Sequence, residues 1–99
     1  MITCVIQYTL DPHAIEEFER YATAWTLIIE RCGGRLTGYY LPKEGATDWA
    51  IALIDFESLA TYEQYRARLA KDPAAQANVA FVREARAILA ERRSFLRKV

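Results

Sequence analysis

The chain has 99 residues, 53% hydrophobic, 12% aromatic and 26% charged, the make-up of one folded domain over residues 1–99 and not of a disordered or low-complexity segment. Thirteen basic residues balance thirteen acidic ones, so no net field draws the chain to nucleic acid or to an anionic membrane. No apolar run approaches the roughly 20 residues that cross a bilayer and no signal-like start is seen, so a cytoplasmic protein without a membrane span is expected.

Ile2 to Leu10 is rich in β-branched and aromatic residues and reads as a first strand, closed by Asp11-Pro12. Asp11 is expected to cap a helix with Pro12 at its first position, where a missing N–H costs nothing. Ile15, Phe18, Ala22, Trp25, Ile29 and Cys32 recur at steps of three and four, which predicts one apolar stripe on that helix. Gly33-Gly34 ends it, glycine being the residue that reaches the left-handed conformation most cheaply.

Arg35 to Leu41 then reads as a second strand followed by a polar loop. The glycines around it do not have the spacing of a Walker loop or a dinucleotide fingerprint, and the glycine pair follows a helix instead of a strand. Asp48 to Phe56 is apolar on both alternating faces and is expected to be a central strand covered on both sides. Ser58 is placed to cap a second helix to about Ala70, and Asp72-Pro73 starts a third, shorter one. The last segment has helix propensity to about Arg93, but a fourth strand from about Ala87 to Leu96 completes the sheet that the other elements require.

That order of elements is the split βαβ: an α+β, ferredoxin-like fold with a four-stranded antiparallel sheet and both helical segments on one face. Four strands about 4.8 Å apart leave a bare opposite face of about 500 Å², a size that monomers seldom expose. Two copies packing those faces together with two-fold symmetry would form a dimeric α/β barrel, so a homodimer is the expected partner.

The residues resemble the NIPSNAP family over essentially the whole chain, through "MITCVIQYTLDPHAIEEFERYATAW", "GGRLTGYYLPKEGATDWAIALIDFESLATYEQYR" and "ERRSFLRKV". The tract around Gly38-Tyr39-Tyr40 with Pro42, Glu44 and Gly45 is the most specific part. The resemblance implies the ferredoxin-like fold, the dimer and the fourth strand, and it implies little about mechanism. Other dimeric-barrel families include cofactor-independent monooxygenases, haem-degrading enzymes and isomerases, but they share only the fold, and none of their motifs matches here.

Candidate site residues follow from side-chain chemistry on that frame. His13 is the only histidine, which leaves no His-rich metal site and points to a surface role near a helix start. No metal and no cofactor is expected, and the sequence identifies no catalytic residue. Cys4 and Cys32 form no C-x-x-C pair and read as reduced, buried thiols.

The expected ligand-binding residues are Tyr8, Tyr40, Trp49 and Arg93. A phenol in an apolar cleft can hydrogen-bond a ligand carbonyl or phenol, and an arginine can anchor an acidic group. Tyr39 and Tyr40 are adjacent in a strand and must point to opposite faces. Tyr62, Tyr65 and the neighbouring arginines are expected on a solvated helix face. Asp55 is expected to pair with Arg92 or Arg93, because an unpaired buried charge is costly.

Three functions fit: a homodimeric module binding a small molecule, a cofactor-independent monooxygenase or isomerase acting on an aromatic or polyketide-like substrate, and a structural dimer or partner-binding subunit. A cavity below about 300 Å³ would favour the last.

Overall fold

The computed structural model describes residues 1–99, in the order β1 (Ile2–Leu10), α1 (Ile15–Cys32), β2 (Arg35–Tyr40), β3 (Trp49–Phe56), α2 (Leu59–Lys71), α3 (Pro73–Ala85) and β4 (Ile88–Arg97). The strands form one antiparallel sheet ordered β2-β3-β1-β4. This is the ferredoxin-like arrangement, with β1 and β3 central. The three helices cover one face, since the buried residues of β1 and β3 lie on the same side as the buried stripe of α1. No helix is long and apolar enough to cross a membrane.

The stripe of α1 is buried at Phe18, Ala22, Trp25, Ile29 and Cys32, joined by Tyr21 and Ile28. Its start differs from expectation. The helix begins at Ile15 after Ala14, because Asp11 is used one turn earlier: its carboxylate accepts the His13 N–H at 2.9 Å and its carbonyl accepts the Ala14 N–H at 3.0 Å. Pro12 therefore sits in a turn ahead of the helix.

The two glycines after α1 do different jobs. Gly33 has φ 106° and its N–H closes back on Glu30, the left-handed cap that glycine adopts without penalty. Gly34 is an approach point: a Cβ there would stand 2.9 Å from Ile29 Cγ2 and 3.0 Å from Ile54 Cγ2.

Ser58 caps α2 through the Thr61 N–H, and Asp72 caps α3 through the Ala75 N–H. Both α2 and α3 have 13 residues, so the third helix is as long as the second. Asp72 also receives Arg31 and the Cys32 thiol, tying the end of α1 to the α2–α3 corner. The Arg31 guanidinium is the main force holding the Asp72 carboxyl below its ordinary range, and the Ala75 N–H adds to it.

Candidate functional site

The site is built between the sheet and the helices. Strand alternation points Cys4, Ile6 and Tyr8 of β1 and Ala52 and Ile54 of β3 toward the helices. Opposite them stand Tyr21, Trp25 and Ile29 of α1, with α2 and α3 arching across. Between these layers lies a cavity of about 910 Å³, of whose 25 lining residues 19 are hydrophobic. That apolar surplus makes the space a solvent for rings and chains more than for ions.

One end is aromatic and carries a pair of phenols. The Tyr39 hydroxyl donates to the Tyr8 hydroxyl at 3.0 Å, and the two rings stack at 6.1 Å with an interplanar angle of 8°. Phe18 meets Tyr8 edge-on at 5.0 Å, and Tyr21 meets Trp25 edge-on at 5.7 Å. Burial pushes Tyr8 and Tyr39 well above the ordinary phenol value of 10. Tyr39 is raised further because it faces Tyr8 and spends its proton there. Both stay neutral across the physiological range, as hydrogen-bonding groups and not as phenolate bases.

The other end holds a cation on aromatic supports. Arg93 of β4 donates to the Tyr62 hydroxyl at 2.8 Å and to Glu91 at 3.1 Å. Burial works against its charge, yet these partners outweigh it and hold the guanidinium more firmly protonated than usual. Tyr62 is itself wedged between Phe56 at 5.2 Å and Phe95 at 4.7 Å. Cys4 lies on the cavity floor, and burial raises its thiol despite Arg93 and Arg66. It is therefore a thiol and not a thiolate near neutral pH.

The fold and cavity set the chain beside known proteins. The sequence profile of the NIPSNAP family matches residues 4–99. The chain belongs to the NIPSNAP family. Among solved structures it is similar to the NIPSNAP protein Atu4242 from Agrobacterium tumefaciens, at 22% identity and TM-score 0.87, covering 100% of this chain and 94% of that one. An uncharacterised NIPSNAP domain protein from Burkholderia xenovorans is similar at 20% identity and TM-score 0.85, covering 100% and 95%.

A Nitrosomonas europaea protein described as a candidate antibiotic biosynthesis monooxygenase shares the fold at 7% identity and TM-score 0.74, covering 100% and 99%. None of the curated proteins matches.

In this NIPSNAP chain the four expected site residues separate into two pairs. Tyr8 and Arg93 line the cavity. Tyr40 and Trp49, 59% and 49% exposed, lie on the other face of the sheet, with Ile51 and Leu53 beside them and no helix over them. Tyr39, not Tyr40, is the tyrosine that turns inward.

Two expectations are corrected. Tyr65 is buried and Tyr62 half-buried, Tyr62 meeting Phe56 edge-on and Tyr65 meeting it at a tilt instead of lying on a solvated helix face. Asp55 has no arginine partner: it lies on the face away from the helices and accepts the Thr3 hydroxyl at 2.6 Å, whereas Arg93 points to the helix side. Reading the sequence also missed Tyr21 and Trp25 as cavity residues, although both sit on the buried stripe of α1.

Proposed function

We propose that the chain is a small-molecule-binding module that works as a homodimer with one cavity in each subunit. The observation that supports binding is the volume: about 910 Å³ falls within the roughly 300–1,000 Å³ typical of drug-sized ligand sites. A domain that filled this space with its own side chains would have left far less. The homodimer follows from the open face, where Tyr40, Trp49 and Leu96 are exposed and Val5, Ile51 and Leu53 half-buried. An apolar sheet face of that kind is covered most economically by a second copy. A reducing cytoplasm suits the free Cys4 and Cys32.

Native mass spectrometry on protein purified gently from its host tests both parts. A dimer carrying releasable extra mass on each subunit is expected. A monomer overturns the assembly, and a dimer that takes up nothing from an apolar compound library overturns the binding role. A monooxygenase reading competes, but the Tyr8 and Tyr39 phenols and the Cys4 thiol are held protonated, which favours recognition over chemistry. No oxygen uptake is expected on a panel of quinols and phenols.

A further inference from the structure

We infer that the ligand of this cavity is an aromatic carboxylic acid, its rings lying against Tyr8, Tyr21, Trp25 and Tyr39 and its carboxylate received by Arg93. This rests on the binding role proposed above and specifies the chemistry it serves. Three independent observations carry it.

The first is the donor count at Arg93. A guanidinium has five N–H donors in a fixed fork, and the protein uses two of them, on Tyr62 and Glu91. Three remain for a planar acceptor, and carboxylate is the group whose geometry matches that fork.

The second is the charge on the cavity wall. Arg66, Arg83, Arg86 and Arg93 line it against a single carboxylate, Glu91. Glu91 is already paired with Arg93, and the only other ion pair in the chain is Arg31 with Asp72, so three arginines face the cavity with no acidic partner. Arg86 has φ 54°, the one non-glycine residue in the left-handed region. It occupies the cap position where glycine is least strained.

The third is spacing. Arg93 pairs with Ile6, and Tyr8 with Glu91, across β1 and β4. Arg93 and Tyr8 are therefore diagonal neighbours on one face, with backbones about 7 to 8 Å apart. That span suits a carboxylate and the far ring of a fused aromatic acid. The aromatic walls supply stacking and edge contacts that a flexible chain would not exploit.

Calorimetric titration of the whole protein with 9-anthracenecarboxylate and with 9-anthracenemethanol, which share their ring system and differ in charge, tests the assignment. The acid is expected to bind at least tenfold more tightly, and Arg93→Gln to erase that advantage. Arg66→Gln, at an exposed position of α2, is expected to reduce the advantage by a smaller factor and covers the case in which the Arg93 variant misfolds. Equal binding of acid and alcohol to the unaltered protein overturns the acid class and leaves the cavity's binding role standing. Failure of both probes to bind overturns the two together.

Discussion

At the scale of single residues, the Tyr8–Tyr39 pair is the most exposed to test. Each phenol is satisfied by the other, and no buried side-chain polar atom in the chain lacks a partner. Removing one hydroxyl strands the other, at a cost of about 1–3 kcal/mol, whereas removing both is nearly neutral. Tyr8→Phe or Tyr39→Phe alone should therefore lower stability more than the double variant does, which a urea-denaturation cycle would measure.

The same pair sets an alkaline limit. Both phenols have folded pKa values raised above the ordinary 10, so their contribution is fully present below about pH 10 and is lost as pH climbs beyond it, when the unfolded chain sheds protons that the folded chain keeps. Denaturation midpoints should fall above pH 10, and less steeply in the double phenylalanine variant.

Gly34 is a second residue with a definite cost. A methyl group there meets Ile29, Ile54 and Phe56, so Gly34→Ala should destabilise by about 1–3 kcal/mol through overpacking. At roughly 4–8 °C per kcal/mol for a domain of this size, the melting temperature reads it directly.

At the scale of elements, the α2–α3 corner turns on Asp72. Its carboxylate caps α3 at Ala75 and also receives Arg31, which is 52% exposed along its side chain. A lost cap costs about 1 kcal/mol, and a surface ion pair contributes less than that. Asp72→Ala should therefore lower stability clearly and Asp72→Asn, which keeps a capping oxygen, much less. Because the Asp72 carboxyl is held below its ordinary value, its contribution is present above the usual carboxylate range and is lost as pH falls through and below it. The gap between wild type and Asp72→Asn should accordingly close in acid.

Local signals made most elements readable. The stripe of α1, the glycine pair and the Ser58 and Asp72 caps each involve residues within one turn of one another, so neighbours in sequence decide them. What was not readable depended on distant partners. Tyr62 and Tyr65 belong to a helix with little apolar character, and only Phe56 of β3 and Phe95 of β4 show that their rings turn inward. Asp11 matched a cap signal but was already occupied by His13 and by the backbone leading to β4, where its N–H meets Ala87.

At the scale of the whole molecule, the sheet separates two surfaces: a cavity under the helices and an apolar face open on the other side. If the open face is the contact between copies, a charge at its middle should part them. Leu53→Arg places a cation between the open-face residues of β2 and β1, Gly38 and Val5, and should shift sedimentation from dimer to monomer. Ligand binding in the cavity should survive the change, because Leu53 does not line it. Which of Tyr39 and Tyr40 faces the cavity could not be read from the sequence, and the cause is a single residue.

Thr37 is that residue. Along β2, Leu36 faces Ile54 and Gly38 faces Leu53, with Thr37 left over between them and its hydroxyl bonded to the Leu53 carbonyl at 3.1 Å. Strict alternation from Leu36 would send Tyr40 inward and Tyr39 out; the bulge reverses both. Excising Thr37 would thus leave Leu36, Gly38, Tyr39 and Tyr40 opposite Ile54, Leu53, Ala52 and Ile51 in regular alternation, with each tyrosine on the face it already holds. The bulge is therefore what keeps parity in this strand: a β2 that retained Thr37 but paired without the bulge would trade the inner surface of the subunit for its outer one.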